Sequence, residues 1–259
     1  MLPTLYAIIP VYNEAANLLT LIESLSAFNK KVMNEFSLQV IFVDDGSTDS
    51  TTDAINKTAH PYHHVLLSNP VNRGPGFAFG SAFEYLSDRI REHDWVFTME
   101  GDNTSTRETL EHMLVRRKEG YDVVMASPYL YSGGFARVSL LRTIISHAGN
   151  ALVKIILRLR GIMTFSCFLR LYSGGTILKL QETFGPRITE LPGFECMVEL
   201  LAKLVYIQSR ISEVEMVVNW GKRSGKSKMK IIKTSLGYLR LFMRRSRMVK
   251  PKKALSQKA

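Results

Sequence analysis

Short apolar runs alternate with longer amphipathic stretches along the first half of the chain, and this alternation predicts strands separated by helices. The runs occupy residues 5–11, 38–43, 65–67, 95–99 and 121–126. Helices are predicted to follow them, the first ending near Phe28 and the last covering residues 107–118. Elements that alternate at this spacing are typical of βαβ units, so the sequence predicts an α/β fold with a mainly parallel sheet.

Polar, turn-forming residues follow the first four of these runs. They are Tyr12-Asn13-Glu14, Asp44-Asp45-Gly46-Ser47, Asn72-Arg73-Gly74-Pro75-Gly76 and Glu100-Gly101-Asp102. Ligands of open α/β sheets bind beyond the carboxyl ends of the strands, so these segments predict a binding site along one edge. Asn13 is the predicted N-cap of the first helix. The glycine-rich segment lacks the Lys-Ser/Thr of a P-loop and the first turn lacks GxGxxG, so neither an ATPase nor a dinucleotide enzyme is supported.

Two pairs of carboxylates in these turns have the chemistry of a nucleotide site. Glu100 and Asp102 supply hard oxygen ligands that, together with a diphosphate, would suit Mg²⁺ or Mn²⁺. The alternative is an ordinary acidic turn after a strand. Asp44 and Asp45 can accept hydrogen bonds from a ribose or a base amide, and Gly46 allows a ligand to approach the backbone closely.

Basic residues are concentrated at the C-terminal end. The chain has 259 residues and a net charge of +11, and residues 220–259 contain 14 Lys or Arg but no Asp or Glu. We therefore predict a large α/β domain over residues 1–220, followed at 221–259 by a basic loop, an amphipathic helix and a disordered tail. A cationic segment of this kind binds phosphates of lipids, nucleic acids or ligands.

The remaining pattern predicts a reduced, cytoplasmic protein without a membrane span. Cys167 and Cys196 have no CxxC spacing, the N-terminus has no basic stretch before an apolar core, and no run of 18 apolar residues occurs. Residues 138–162 predict an amphipathic helix, which could pack in the core or contact a membrane. Residues 229–249 predict an interfacial helix, for which a solvated basic tail is the alternative.

Four motifs, in order and spacing, resemble the inverting family 2 glycosyltransferases. They are Ile9-Pro10-Val11-Tyr12-Asn13-Glu14, Val43-Asp44-Asp45-Gly46-Ser47-Thr48-Asp49-Ser50-Thr51, Asn72-Arg73-Gly74 and the pair of Glu100 and Asp102. Later segments resemble the dolichyl-phosphate mannosyltransferase branch, which moves a sugar from a nucleotide donor to a polyprenyl phosphate. These segments are residues 129–134, 142–146 with Asn150, 168–172, 193–195 and 223–228, so the resemblance covers about residues 4–240.

The resemblance implies a nucleotide-diphospho-sugar transferase fold of the GT-A, Rossmann-like type, with residues 1–220 as the catalytic domain. Glu100 and Asp102 would bind Mg²⁺ or Mn²⁺, with Glu100 in the place of a more usual Asp. The nucleotide sugar would lie against Pro10, Tyr12, Glu14, Asp44, Asp45 and Gly74.

The resemblance also implies cationic groups for the acceptor and the diphosphate. Arg142 and Ser146, four residues apart on one helix face, would face the lipid phosphate. Arg223, Lys226 and Lys228 would belong to a basic loop that closes over the phosphates. Catalysis would depend on Asp102, Arg142 and Arg223.

Besides Glu100, two further positions depart from the branch. Pro128 stands where Arg is common, and Thr164 stands where Asp often occurs. The longer carboxylate of Glu100 bears on metal preference and donor geometry. None of these residues distinguishes GDP-mannose from UDP-glucose or another nucleotide sugar.

We expect metal-dependent, inverting sugar transfer to a polyprenyl phosphate on the cytoplasmic face of a membrane, bound peripherally or through a membrane-embedded partner. A phosphate monoester has a second pKa of about 6 and needs no general base, whereas an alcohol acceptor would need one. Glu195 is the candidate base, although it also fits a helix start. A non-lipid acceptor and an inactive transferase-like scaffold are the alternatives. Nucleic acid is not an expected partner, because the acidic edge would repel its phosphates.

Overall fold

The structure is a computed structural model that describes residues 2–138, 140–157, 161–219 and 221. Strands and helices alternate through most of these residues. The elements are β1 (Thr4–Val11), α1 (Ala15–Val32), β2 (Ser37–Asp44), α2 (Thr51–Lys57), β3 (His63–Ser68), α3 (Pro75–Tyr85), β4 (Trp95–Thr98), α4 (Arg107–Arg117), β5 (Val123–Ser127), β6 (Gly134–Ala136), α5 (Leu140–Leu157), β7 (Arg170–Ser173), α6 (Gly174–Phe184), α7 (Cys196–Tyr206), β8 (Ile211–Glu215) and β9 (Val217–Asn219).

The main sheet has seven strands in the order β3-β2-β1-β4-β7-β5-β8. β1 is parallel to β2 and β4, β2 is parallel to β3, and β5 is parallel to β8. β7 runs antiparallel to both of its neighbours, β4 and β5. The predicted mainly parallel sheet is therefore confirmed. The apolar pattern did not indicate β7, because the strand is only four residues long and begins with an arginine.

An apolar core covers each face of the sheet, because alternate side chains of a strand point to opposite faces. In β1, Tyr6 and Ile8 pack into the core shared with α3, α6 and α7. Leu5, Ala7 and Ile9 pack into the other core, shared with α1 and α4. Burial on both faces explains why the sequence shows continuous apolar runs here rather than alternation.

The predicted N-cap of the first helix is wrong. Glu14 occupies the N-cap position of α1, and its side chain makes no capping hydrogen bond. Asn13 has a φ of 52°, in the left-handed region that Asn tolerates better than most residues. Its Oδ1 accepts the backbone N–H groups of Thr48 and Asp49 at 2.7 and 3.3 Å. Asn13 therefore joins the ends of β1 and β2 instead of capping the helix.

The predicted amphipathic helix at 138–162 corresponds to the shorter α5. Val153 of α5 is buried, whereas Leu140 and Ile144 are 76% and 55% exposed. No helix among the described residues is long and apolar enough to cross a membrane. The predicted second part of the chain, residues 221–259 with its interfacial helix, lies outside the described residues apart from Gly221.

Candidate active site

The loop after β4 brings the two predicted metal ligands together. Thr104 Oγ1 lies 2.6 Å from Asp102 Oδ1 and 3.2 Å from Glu100 Oε2. The Thr104 backbone N–H also donates to Asp102 Oδ1 at 3.1 Å. Both carboxylates therefore converge on one hydroxyl group. Sequence reasoning missed Thr104, although its place two residues after Asp102 in the same turn could have indicated it.

This turn is held against β1 and α1. A Cβ at Gly101 would lie 3.0 Å from Val11 Cγ1 and 3.2 Å from Pro10 O, so the turn passes close to the end of β1. Asn103, at a φ of 62°, donates from Nδ2 to Asn17 O at 2.9 Å. Neighbouring elements thus fix the geometry of the turn without help from a ligand.

The donor set at this turn fits Mg²⁺ or Mn²⁺. Carboxylate and hydroxyl oxygens are the ligands that these ions prefer. The described part of the chain contains no group of three or more His, Cys, Asp or Glu residues placed to hold a metal. An ion bound by Glu100 and Asp102 would therefore take its remaining ligands from a hydroxyl, a diphosphate and water.

The predicted nucleotide-binding residues lie at the carboxyl edge of β1, β2 and β3, in the network that joins these strand ends. Both carboxylate oxygens of Asp44 accept the Ser47 N–H at 3.2 Å, and Ser47 Oγ accepts the Asn13 N–H at 2.9 Å. The Glu14 N–H donates to Thr51 Oγ1 at 2.8 Å. Close to this network lie Pro10, which is paired with Val43, and the half-buried Tyr12.

Asp45 fixes the glycine-rich loop after β3. Its Oδ1 accepts the Asn69 side-chain amide at 3.1 Å and the Arg73 N–H at 3.0 Å, and its Oδ2 accepts the Gly74 N–H at 2.6 Å. Gly74 has a φ of 96°, and a Cβ there would overlap Pro192 O, so the position requires glycine. The carboxylate predicted to hold the nucleoside therefore also shapes the loop beside it.

A cation is held at the rim of this loop by an aromatic ring. The guanidinium carbon of Arg73 lies 3.4 Å from the centroid of the Phe77 ring, and that of Arg187 lies 3.8 Å from it. Arg187 is anchored because it also donates to Phe77 O at 2.9 Å. Arg73 is exposed. The predicted site residues did not include this stack, which depends on the approach of residue 187 to α3.

The segment before α7, residues 189–192, packs along the start of α3. A Cβ at Gly76 would overlap Leu191 O, and the Gly76 N–H donates to Pro192 O at 2.8 Å. Thr189 Oγ1 donates to Gly76 O at 2.9 Å. The buried Glu199 of α7 accepts the backbone N–H groups of residues 190 and 191 in this segment. Hydrogen bonds therefore join this segment both to the start of α3 and to α7.

On the other side of the site, α5 packs against the loop after β5. The hydroxyl groups of Tyr129 and Ser146 lie 2.7 Å apart, and the Tyr129 ring meets His147 and Phe135 edge-on. Burial raises the pKa of Tyr129, so its hydroxyl stays protonated at neutral pH. Arg142 lies on α5 one helical turn before Ser146. The predicted cations Arg223, Lys226 and Lys228 lie outside the described residues.

Thr164 and Pro128, the two residues that depart from the dolichyl-phosphate mannosyltransferase pattern, lie near this side of the site and contact neighbouring groups. Thr164 is buried, and its hydroxyl donates to Ser127 Oγ at the end of β5. The N–H groups of Met163 and Thr164 donate to the carboxylate of Glu213 on β8 at 2.7 and 2.8 Å. The carboxylate that holds this segment therefore comes from β8. Pro128 follows Ser127 directly and lies against Gly133.

A comparison with protein families decides the identity of the chain. The sequence model described as Glycosyl transferase family 2 matches residues 6–174. The chain belongs to this family. In this family 2 chain the matched region runs from β1 through β7 and contains Asp44, Asp45, Glu100 and Asp102.

Curated relatives share sequence with less than half of the family 2 chain. The undecaprenyl-phosphate 4-deoxy-4-formamido-L-arabinose transferase of Serratia proteamaculans (strain 568) is 31% identical over 119 residues, which are 45% of this chain and 34% of that protein. The protein of the same name from Pseudomonas syringae pv. syringae (strain B728a) is 31% identical over 121 residues, 45% of this chain and 33% of that protein. The matched segment thus spans about a third of each relative.

Solved structures confirm the predicted GT-A fold. Glucosyl-3-phosphoglycerate synthase from Mycobacterium tuberculosis, in complex with Mn²⁺, UDP and glucosyl-3-phosphoglycerate, superposes with a TM-score of 0.64 at 15% identity, over 97% of this chain and 82% of that one. The same synthase with Mg²⁺ and UDP gives a TM-score of 0.62 at 16% identity, over 97% and 81%. At this identity the likeness concerns the fold.

Proposed function

We propose that this chain transfers a sugar, with inversion at the anomeric carbon, from a nucleotide-diphospho-sugar to a polyprenyl phosphate at a membrane surface. The observation that carries the proposal is the convergence of Glu100 and Asp102 on Thr104 at the carboxyl edge of the sheet in a family 2 chain. The undecaprenyl phosphate in the names of the matched relatives supports a lipid-phosphate acceptor.

The donor would lie along the ends of β1, β2 and β4. Glu100 and Asp102 would hold a divalent ion, which would supply neutralising charge for the departing diphosphate. Asp44 and Asp45 shape the turns against which the nucleoside would lie. Arg73, held on Phe77, adds a positive charge at the same rim.

Transfer exchanges one bond at the anomeric carbon for another. The bond to the diphosphate oxygen breaks with its electron pair leaving on the nucleoside diphosphate, while an acceptor oxygen forms a bond on the opposite face. A phosphate acceptor is largely dianionic at neutral pH, so no base is required. Cations must instead hold it beside another anion, and Arg142 with Arg223, Lys226 and Lys228 would serve that purpose.

Contact with a membrane surface would bring the chain to a lipid acceptor. Leu140 and Ile144 expose apolar side chains on α5, the helix that also carries Arg142 and Ser146. Each cation near an anionic leaflet contributes about 1 kcal/mol, and residues 220–259 contain 14 Lys or Arg. A membrane-embedded protein partner would be a second route to the same surface.

Nucleotide binding followed by an acceptor screen tests the proposal. Calorimetric titration with UDP and GDP, each with Mn²⁺ and again with EDTA, should show metal-dependent binding of one nucleotide. Donor sugars of that nucleotide are then tested with undecaprenyl phosphate, dolichyl phosphate and 3-phosphoglycerate as acceptors. We expect product with the lipid phosphates and none with 3-phosphoglycerate. Transfer only to 3-phosphoglycerate would replace the lipid acceptor, and binding without any turnover would favour an inactive scaffold.

A further inference from the structure

Glu195, at the start of α7, is a buried carboxylate that the proposed reaction does not use. It is 8% exposed, and its side chain makes no capping bond to α7. Its backbone carbonyl accepts the N–H groups of Val198 and Glu199, but its carboxylate has no hydrogen-bond or ion-pair partner in the described part of the chain. A carboxylate on a mostly buried residue that has no protein partner is available to a ligand that can donate hydrogen bonds.

The side chain of Glu195 turns back over Gly193, two residues earlier in the chain. A Cβ at Gly193 would overlap Glu195 Oε2, so the carboxylate fills the space that a side chain at 193 would take. The backbone nitrogen of Gly193 lies 3.8 Å from the position of a Cβ on Gly74. The carboxylate therefore lies over Gly193, and Gly193 in turn adjoins the loop that Asp45 fixes.

An aromatic stack links the same segment to β4, the strand that precedes the metal-binding turn. Phe194 stacks on Phe168 with ring centroids 5.3 Å apart and planes 5° apart. Phe168 O accepts a hydrogen bond from the Thr98 hydroxyl at the end of β4, two residues before Glu100. The segment that carries Glu195 thus adjoins the loop after β3 and is linked through Phe168 to the end of β4, the two elements proposed to hold the donor.

The buried cations of the neighbouring core are engaged elsewhere. Lys203 pairs with Glu199 and donates to Ile188 O at 2.6 Å. Arg170 donates to three backbone carbonyls, those of Phe165, Cys167 and Met197. Neither cation forms an ion pair with Glu195 in the structure as described. A structural role as one half of a buried salt bridge therefore does not account for this carboxylate.

We propose that Glu195 accepts hydrogen bonds from hydroxyl groups of the donor sugar, and that it selects neutral sugars over sugars that carry a carboxylate. The inference rests on the proposed function and specifies its sugar class. A carboxylate has only acceptor sites, which match hydroxyl donors, and its charge opposes a second anion at short range. Because the acceptor phosphate needs no base, the carboxylate is available for the sugar.

Equilibrium binding of three ligands to the full-length chain tests this assignment without any acceptor. Once the nucleotide is known, the affinities of the nucleoside diphosphate, its neutral hexose conjugate and its hexuronate conjugate are measured with Mn²⁺; for a uridine site these are UDP, UDP-glucose and UDP-glucuronate. Glu195→Gln should bind UDP like the wild type and UDP-glucose about 10- to 100-fold more weakly, since a charge-assisted hydrogen bond is lost. The ratio of its affinity for UDP-glucose to its affinity for UDP-glucuronate should be smaller than that of the wild type.

Two controls separate the sugar contact from a structural role. Glu182→Gln removes the same charge from an exposed site on α6 and should change none of the three affinities. The thermal midpoint of Glu195→Gln should be equal to or above that of the wild type, because an unpaired buried charge is removed. A lower midpoint, with all three ligands weakened together, would overturn the assignment.

The remaining outcomes also distinguish this inference from the proposed function. If wild-type UDP binding is strong and Glu195→Gln leaves all three affinities unchanged, the sugar contact is refuted and the transferase proposal stands. If Glu195→Gln weakens UDP and UDP-glucose equally, the carboxylate serves the nucleotide and the sugar assignment is wrong. If the wild type binds no nucleotide with Mn²⁺, both proposals are refuted.

Discussion

The two sides of the proposed site are built differently. The donor side, residues 10–14, 44–51, 69–76 and 100–104, is a network in which backbone N–H groups satisfy buried carboxylates. The acceptor side, residues 127–136 and 140–157, is joined by the Tyr129–Ser146 hydroxyl contact and a cluster of three rings, and it exposes Leu140 and Ile144 to solvent.

This difference indicates how each ligand is recognised. A preorganised polar network suits a small ligand of fixed shape, because little ordering remains to be done on binding. Exposed apolar side chains beside a polar cluster suit a surface such as a bilayer, which removes them from water. We therefore expect donor-side changes to abolish binding or chemistry, and acceptor-side changes to have smaller, graded effects.

The largest effect is expected at the donor-side metal turn. Asp102→Asn keeps an oxygen that can accept from Thr104 but loses the charge that an ion requires, so turnover should fall at least about 100-fold. Circular dichroism and the thermal midpoint should stay near those of the wild type. Near wild-type turnover that still depends on Mn²⁺ would remove Asp102 from the metal site.

The second effect is expected at Asp45 and concerns stability as well as binding. Asp45→Ala leaves the N–H groups of Arg73 and Gly74 and the Asn69 amide without an acceptor, which should lower the free energy of unfolding by about 2–4 kcal/mol. Urea denaturation measures the change. Asp53→Ala, which removes an exposed carboxylate from α2, is the matched control and should have little effect.

An unchanged urea midpoint for Asp45→Ala would show that the loop after β3 keeps its shape without the carboxylate. The donor side would then be less rigid than the hydrogen bonds indicate. Nucleotide affinity measured on the same variant separates the two roles of Asp45. A stable variant with lost nucleotide binding would assign the residue to the ligand alone.

The sequence predicted those features that depend on local pattern. Buried strands are apolar on both faces, so β1 to β5 were visible as runs, and the polar residues after them identified the carboxyl edge. The pairing of Glu100 with Asp102 followed from their separation by one residue. These predictions required no knowledge of long-range contacts.

Features that depend on tertiary contacts were not predictable from the pattern. Asn13 was misassigned because its partners, Thr48 and Asp49, lie on another turn. The burial of Glu195 depends on a segment that packs on Gly76 through backbone atoms, which leaves no signal in hydrophobic periodicity. The antiparallel position of β7 depends on its pairing with β4 and β5, which are distant from it in the sequence.

The third effect is expected on the acceptor side. Arg142→Lys keeps the charge but loses the paired donors of a guanidinium, so the KM for polyprenyl phosphate should rise about 10-fold while the donor KM stays unchanged. Steady-state kinetics with each substrate varied in turn make the distinction. An unchanged acceptor KM and kcat would exclude Arg142 from the acceptor site.

A smaller effect is expected from the exposed apolar residues of α5. The double variant Leu140→Glu and Ile144→Glu should reduce flotation with anionic liposomes without a loss of stability, because both side chains are exposed. High salt should release more protein, since the screening length falls from about 8 Å at physiological ionic strength to about 3 Å at 1 M. Val115→Glu, at a 64% exposed apolar site on α4, is the matched control. Equal flotation of all variants would exclude α5 from the membrane surface.

The smallest effect is expected away from the site, at the amino end of β3, where two imidazole rings pack against each other at an angle of 37°. The rings of His60 and His64 have centroids 3.9 Å apart, and His60 contacts the Tyr62 hydroxyl and Ile55 O. Burial lowers the pKa of His64, and the nearby charges of His60 and His63 lower it further. The folded chain therefore binds fewer protons than the unfolded chain as pH falls through the ordinary histidine pKa of about 6.5.

Stability that is present above that pH should consequently be lost as pH falls toward the lowered pKa of His64. Urea midpoints measured between about pH 7.5 and about pH 5 should decline less steeply for His64→Gln than for the wild type. His112→Gln, at an exposed position on α4, should retain the wild-type slope. Parallel slopes for the wild type and His64→Gln would show that His64 accepts a proton in the folded chain without a loss of stability. In that case any loss of stability in acid would have to arise elsewhere, and the carboxylate network at the carboxyl ends of the strands would be the first place to look for it.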